Sequence, residues 1–463
     1  YCDDCSEITV KREDPDKCQH CGSNNIHQDE DVLDTWFSSW LWPFSTLGWP
    51  EENKDVKYFY PGHVLSTAPE ILFFWVARMI MSGLYFLDDI PFEDVYLHST
   101  VCDDQGRKMS KSLGNGIDPL EVINEYSADA LRFTVLDLAP IGGRIRLSKE
   151  KFQNGHKFAN KIWNASRYIL MGLEEKYIDK IENIELDLTD KWILTELNKA
   201  VKDTNIALEK FRFNDATYTV YSFIWNSFCD WYLELTKTRL YKGSEQEKSS
   251  ATTVLLYVLE KALKLLHPIM PFISEEIWQK LPVEKTKDSI MISEFPEYND
   301  KLNFPEAAEK MNTVMDIIKS TRNIRGEMNI PHSMDISLYI NAQEESVSKI
   351  AGEQAIYIKS LAKVKDIKCE AGLKKPDKSA SGIGEGFEVY VPLEGLIDLD
   401  KEKERILKEI AKNEKDLNKT LAKLKNEKFL SGAPEEVIQK EKSKQEEFET
   451  NLSRLKTNLE KIS

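Results

Sequence analysis

From Ser148 to Ile324 the apolar residues recur three and four positions apart, and no other feature of the chain narrows the choice of fold as far. Phe158, Ile162, Ala165 and Ile169 form one stripe; Trp192, Leu197, Val201, Ile206 and Leu208 form a second; Tyr218, Tyr221, Ile224, Trp225, Phe228, Trp231 and Leu235 form a third. This spacing puts each set on one side of a helix, and such helices are stable only when packed on each other, so the segment is predicted to be a helix bundle. Ser148, Thr189 before Asp190, Asn214 before Asp215, and Ser274 before Glu275 and Glu276 are the expected helix starts, where capping oxygens and first-turn carboxylates meet unpaired N–H groups.

The rest of the 463 residues does not follow that rule, and the length itself calls for several cores. Residues 29–147 mix aromatics, Gly and Pro with a strand-like run, "DVYLHSTVC" (Asp94 to Cys102), and an apolar helix, "ILFFWVARMIMSGLYFL" (Ile71 to Leu87), which reads as α/β. That helix carries Arg78 and falls short of the roughly 20 apolar residues a membrane span needs, so no span is expected; no signal peptide is seen, and the cytoplasm is the expected compartment. Residues 333–395 alternate again ("DISLYI", "FEVYVP") around a Lys/Ser/Gly stretch, Lys374 to Gly386, read as a flexible hairpin loop, giving a small α/β linker unit. In residues 396–463, Leu399, Ile406, Ile410, Leu417, Leu421 and Leu424 form one stripe, and Phe448, Leu452, Leu455, Leu459 and Ile462 form another with coiled-coil steps. "SGAPEE" (Ser431 to Glu436) separates them, so an antiparallel coiled-coil hairpin is predicted; its nearly balanced charge leaves open a solvated strut or an RNA contact. The expected fold is thus multidomain, α/β plus all-α, with units at 1–28, 29–147, 148–332, 333–395 and 396–463.

Cys2, Cys5, Cys18 and Cys21 form C-x2-C-x12-C-x2-C, two knuckles whose four thiolates can close a tetrahedral shell; structural zinc is predicted, with unliganded thiols the alternative and His20 and His27 as substitutes. A net charge of −16 argues against a chain coated in basic residues, but leaves room for a local basic face. On the first bundle helix Asn160, Asn164 and Arg167 share a side opposite the apolar stripe, with Lys157 and Lys161 nearby; amides and a guanidinium there suit splayed RNA bases, and a solvated polar face is the plain alternative. Arg322 and Arg325 are further candidates.

The most concentrated chemistry lies in "GRKMSKSLGN" (Gly106 to Asn115). Lys108, Lys111, Ser110 and Ser112 between two glycines can gather ammonium, hydroxyl and N–H donors around a polyphosphate, although the P-loop pattern is absent. Cations over a leaving pyrophosphate stabilise the transition state of an attack on an α-phosphorus, and the glycines would let the loop close and reopen. A flexible basic surface loop is the alternative from these residues alone.

"KMSKS" followed by "LGN" and "IDP" resembles the signature loop of class I aminoacyl-tRNA synthetases. "LDTWFSSWLWPFSTLGWP", "ILFFWVARMIMSG", "ADALRF", "FCDWYLELTK", "RNIRGEMNIP" and the terminal Leu/Lys/Glu hairpin are similar to the valyl members of that family, along essentially the whole chain. The resemblance implies the C-terminal half of a nucleotide-binding domain and a helical anticodon-binding domain. It implies that Lys108, Met109, Ser110, Lys111 and Ser112 bind ATP with Mg2+, Lys108 and Lys111 being catalytic and Lys111 the principal phosphate ligand. Trp36 and Ile71 would wall the valine pocket, and tRNA(Val) would be the partner of a monomer. The isoleucyl and leucyl members, or a non-catalytic tRNA-binding or scaffold fragment, are the alternatives.

Two departures matter. Thr67-Ala68-Pro69-Glu70 stands where the family has Thr-Gly-x-Asp near the ATP ribose; Glu70 has a longer reach, Ala68 adds a Cβ and Pro69 fixes φ. The His-x-Gly-His signature is missing, with His63 and His98 standing alone. The chain, which opens at Tyr1, is therefore expected to be a piece of a longer enzyme whose N-terminal half and editing domain lie upstream, and to be inactive in aminoacylation by itself.

Overall fold

The computed structural model describes residues 1–51, 53–173, 178–396, 399–426 and 435–462. In chain order come α1 (Thr35–Ser39), α2 (Trp42–Ser45), α3 (Lys54–Phe59), β1 (Gly62–Thr67), a 3-10 turn (Pro69–Ile71) and a π turn (Leu72–Val76) leading into α4 (Ala77–Leu87), β2 (Phe92–Leu97), β3 (Thr100–Cys102), α5 (Pro119–Glu125), α6 (Ala128–Asp137), β4 (Arg144–Arg146) and α7 (Phe152–Gly172). Then follow α8 (Leu188–Glu209), α9 (Phe213–Ser222), a π-helical stretch (Phe223–Tyr232), α10 (Leu233–Lys242), α11 (Glu245–Leu266), α12 (Pro271–Lys280) and α13 (Pro305–Glu327). The chain continues through β5 (Ile336–Ala342), α14 (Glu345–Glu353), α15 (Ala355–Ala362), β6 (Val364–Glu370), β7 (Ser379–Gly384), β8 (Phe387–Pro392), α16 (Leu399–Leu424) and α17 (Glu435–Ile462). The architecture is mixed α/β and rich in helix.

The chain divides into two compact units, Tyr1–Ile117 with Leu138–Ser148 and Phe211–Phe213, and Asp118–Asp137 with Lys149–Lys210 and Asn214–Ser463. This division differs from a single boundary at 147/148. Residues 118–137 join the second unit because Phe133 lies against Phe158 with ring centroids 5.2 Å apart, and because Asp129 accepts from Phe272 N and Ile273 N at 3.1 and 2.7 Å.

In the first unit β1 and β2 pair in parallel across α4, with Gly62 opposite Phe92, and β3 pairs in parallel with β4. One side of α4 packs inward: Met79 and Val76 are buried with Leu65 against Trp40 and Trp75, and Ser82 Oγ donates to Trp40 O at 2.9 Å. Gly83 permits this approach, since a Cβ there would collide with Tyr60 Oη and Asp89 O. The other side is open, with Phe73 and Tyr85 each 82% exposed. Counted from Pro69, the helical stretch to Leu87 has 19 residues and is long and apolar enough, by length and composition alone, to cross a membrane.

The second unit holds the predicted bundle. Phe158, Ile162, Trp192, Leu197, Ile224, Phe228 and Leu235 are buried in one core with residues of α11, α12 and α13. Three of the expected caps are corrected, the first being Asn214, which is already the second residue of α9. The α8 N-cap is Asp187, which exchanges hydrogen bonds with Asp190, while Thr189 lies buried inside the helix. Ser274 is likewise internal to α12: Pro271 opens that helix, and Asp129 takes its first free N–H groups.

The small sheet has the order β6-β5-β8-β7, with β5 parallel to β6 and the other pairs antiparallel. Its β7 falls inside the stretch expected to be a loop. The small residues there mark a strand under a helix: a Cβ on Gly382 would lie 3.2 Å from Val389 Cγ2 and 3.5 Å from Ile324 Cδ1 and Ser320 Cβ of α13. The two last helices pack antiparallel, as the pairs Lys456–Glu414 at 3.2 Å and Lys423–Glu441 at 3.4 Å require, with Ile406, Ile410, Leu452 and Leu455 buried. The break expected at Ser431 to Glu436 falls largely on residues 427–434, outside the described residues.

Candidate active site and candidate nucleic-acid interface

The loop from Gly106 to Asn115 is organised by two polar side chains. Asn115 accepts from Ser110 N at 3.0 Å through Oδ1 and donates to Asp103 Oδ2 at 2.9 Å, bridging the two ends of the loop. Asp103 also accepts from Arg107 N at 2.9 Å and Arg107 Nε at 2.8 Å. The Asn115 amide, with the Arg107 N–H and guanidinium, pulls the Asp103 carboxyl down to about 2. Gly106 and Gly114 take φ of +79° and +62°, the left-handed conformation a side chain would strain. Met109 N donates to Val101 O at 3.0 Å and seats the start of the signature on β3.

The two lysines end in different states. Lys108 donates to the Glu70 carboxylate, whose pKa the bond lowers. Lys111 is exposed, and its ammonium has no partner among the described residues. Ser110 Oγ and Ser112 Oγ lie 3.3 Å apart beside it. The loop therefore offers one unpaired cation and two hydroxyls to an anion, with a second cation held in reserve by Glu70. Trp36 and Ile71 are both half-buried; Trp36 packs on Phe74, one turn beyond Ile71, at a centroid distance of 5.8 Å.

At the N-terminus the four thiol sulfurs of Cys2, Cys5, Cys18 and Cys21 lie within 4.8 Å of one another. Cys2–Cys21 and Cys5–Cys18 are each 3.6 Å apart, close to the edge of about 3.8 Å that a tetrahedron of bonds of about 2.3 Å would have, so the set is compatible with zinc. Each knuckle turns at a left-handed residue just after its second cysteine, Ser6 and Gly22. Neither histidine joins the set; His27 Nδ1 lies 3.2 Å from Asp3.

On α7, Asn160, Asn164 and Arg167 are all exposed, and Arg167 has no partner for its charge among the described residues. Arg322 is exposed too, its guanidinium 5.6 Å from the Trp231 ring centroid. Arg325 is corrected. It is 3% exposed, donating to Pro331 O at 2.6 Å and Met334 O at 2.7 Å, so its charge serves the packing of α13 on the strand that follows. Sequence reading missed the aromatic partners of two lysines on this unit: Lys161 lies 4.0 Å from the Trp225 centroid, and Lys237 lies 5.4 Å from the Tyr168 centroid. Such pairs join neighbouring helices, and spacing within one helix does not announce them.

Family models match in the order of these units. Residues 3–148 match "tRNA synthetases class I (I, L, M and V)", residues 190–340 match "Anticodon-binding domain of tRNA ligase", and residues 398–463 match "Valyl tRNA synthetase tRNA binding arm". Along 100% of its length the chain is 46% identical to the valine–tRNA ligase of Syntrophotalea carbinolica, of which it covers 52%. It is 47% identical to that of Thermotoga maritima over 99% of this chain and 51% of the relative. The chain thus spans about half the length of the curated relatives it matches. With matches to a class I catalytic segment, an anticodon-binding segment and a valyl arm in one run, the chain is similar, end to end, to about half of a valine–tRNA ligase.

Proposed function

We propose that this chain supplies the phosphate-handling loop and the tRNA-binding helices of a valine–tRNA ligase. In the whole enzyme a valine carboxylate attacks the α-phosphorus of ATP, pyrophosphate leaves, and the valyl group of the adenylate then passes to the terminal ribose of tRNA(Val). The observation that carries this reading is the unbroken similarity to valine–tRNA ligases along the chain. The geometry suits that chemistry, because Lys111 is free to meet charge developing on the leaving pyrophosphate, and a loop stapled by Asn115 presents it. Magnesium would accompany ATP. Trp36 and Ile71 would bound an apolar amino-acid slot, which rejects one extra methylene by only about 1–3 kcal/mol.

The four thiolates would hold a structural zinc ion, with no open position for catalysis. The antiparallel α16 and α17 would form a coiled-coil arm, and Asn160, Asn164, Arg167 and Arg322 would meet tRNA. None of the seven cysteines lies in a disulfide, and a reducing cytoplasm would suit them.

The chain has no His-x-Gly-His step, so alone it would bind RNA and not aminoacylate. The test is amino-acid-dependent ATP–pyrophosphate exchange by this chain joined to the remaining half of the Thermotoga maritima relative. Valine-dependent exchange is expected. Preference for isoleucine would overturn the valyl assignment, and wild-type exchange by Lys111→Ala would remove the role given to the loop.

A further inference from the structure

We propose that Cys21 and Cys5 are sites of reversible oxidation by peroxide, each resolved by a buried cysteine of the opposite knuckle, so that two crossed disulfides, Cys2–Cys21 and Cys5–Cys18, replace the metal. This rests on the reading of the cluster as a zinc site and gives that site a second chemistry.

The pairing comes from the geometry. Cys2 Sγ and Cys21 Sγ lie 3.6 Å apart, as do Cys5 Sγ and Cys18 Sγ, and both pairs run between the knuckles. Burial divides each pair in the same way: Cys21 is exposed and Cys5 half-buried, whereas Cys2 and Cys18 are buried. An oxidant in solution therefore reaches one sulfur of each pair first, and a shielded partner stands beside it. Closing to the disulfide length of about 2.0 Å asks only for side-chain movement.

The knuckles are also tied to each other by bonds that need no metal. Asp3 N donates to Asn25 O at 3.0 Å, His27 N donates to Tyr1 O at 3.0 Å, and Asp4 accepts from Asn25 Nδ2 at 3.1 Å and from Ser23 Oγ. Each knuckle keeps its own turn, through Ser6 N to Cys2 O at 2.9 Å and Gly22 N to Cys18 O at 3.0 Å. With the ion gone, these bonds still hold the four sulfurs face to face, which favours closure across the knuckles and keeps the oxidised form folded. Each closure consumes one peroxide. The Cys21 thiolate attacks a peroxide oxygen, giving a sulfenic acid and hydroxide, and the Cys2 thiolate then attacks that sulfur and displaces a second hydroxide. Cys5 and Cys18 react likewise, so four thiolates and two hydrogen peroxide molecules give two disulfides, four hydroxides and a released zinc ion. A thiol reductant returns the thiolates by exchange.

The test uses the full chain, analysed first for zinc, and adds hydrogen peroxide beside a chromogenic chelator; remaining thiols are alkylated and the disulfides mapped by mass spectrometry. One zinc should be released as four thiols are lost, with Cys2–Cys21 and Cys5–Cys18 as the linkages, and dithiothreitol with added zinc should restore both. Any other linkage, Cys2–Cys5 with Cys18–Cys21 above all, would overturn the proposal and leave the zinc reading intact. So would sulfinic acid on Cys21 without a disulfide, or zinc retained while added glutathione is oxidised. Cys102 and Cys229, both buried, should stay reduced. Their oxidation in step with the four would mean that the chain unfolds first, and would equally overturn the site. A chain that carries no zinc before peroxide, with four readily titrated thiols, would overturn the zinc reading itself and the exchange with it.

Discussion

Lys108 donates its ammonium to Glu70, 38 positions earlier in the chain. The glutamate carboxylate therefore reaches the Gly106–Asn115 loop itself. Both partners are well exposed, at 62% and 46% of their side chains, so the pair is weak and yields to a stronger anion. Glu70→Gln should raise the affinity of the chain for inorganic pyrophosphate about two- to fivefold at low salt, an effect that fades as salt is added. Lys111→Ala should lower it about tenfold. Calorimetric titration checks both, and an unchanged affinity in Glu70→Gln would show that Lys108 takes no part in holding the anion.

Asp103 predicts how the loop responds to acid. Its carboxyl is depressed from 3.8 to about 2, first by the Asn115 amide and also by Arg107, so its contribution is complete above 3.8 and is lost as pH falls through about 2. Exchange of the Ser110 amide, which donates to Asn115 Oδ1, should stay slow down to pH 4 and quicken only below it. Asn115→Ala should quicken that exchange at neutral pH. Equal exchange in the variant and the wild type would show that Asn115 is not the staple.

The thiol cluster predicts one zinc per chain by elemental analysis. Chelation should free four thiols to a titrant, because Cys2, Cys5, Cys18 and Cys21 would lose a shared ion. Cys18→Ser should purify with at most a small fraction of that metal. Four readily titrated thiols without zinc in the untreated protein would refute the site.

Arg239 predicts where the second unit is most sensitive. Its guanidinium donates to Asp190 Oδ1 and Oδ2 at 2.6 and 2.7 Å, and Tyr232 Oη adds a bond to the same carboxylate at 2.5 Å. All three are buried, and removing one partner strands a charge in the core. Arg239→Ala should cost about 3–5 kcal/mol in urea unfolding. A loss below about 1 kcal/mol would mean that water reaches Asp190.

Arg322 and Arg325 predict a separation of roles. Arg322→Ala should weaken tRNA binding several-fold with a smaller change in melting temperature than Arg325→Ala, since its charge is exposed beside Trp231 and one donor, Nε, meets Leu361 O at 3.0 Å. Arg325→Ala should lower the melting temperature and leave the affinity of the folded fraction unchanged, since carbonyls consume its donors. Reversed effects would reverse the assignment.

What the sequence revealed follows from the range of each interaction. The bundle core was legible because Phe158, Ile162 and Ile169 repeat within one helix, and the thiol quartet because knuckle spacing is local. The strand at Ser379–Gly384 was not, since its small residues answer to a helix some sixty positions earlier in the chain. The cap of α12 escaped for the same reason, as Asp129 reaches it across 143 residues. Arg325 illustrates the reverse error: a charged residue reads as surface until its carbonyl partners are in place.

The open side of α4 has a practical consequence for anyone purifying this chain. Phe73 and Tyr85 stay out of the core in the folded state, so an apolar-sensing dye such as ANS should fluoresce with fully native protein. Bright dye signal, the usual warning of a molten sample, would here be a property of the intact fold. Thermal scans that rely on such dyes should start from a high baseline, and refolding is better followed by near-ultraviolet circular dichroism of the ten tryptophans.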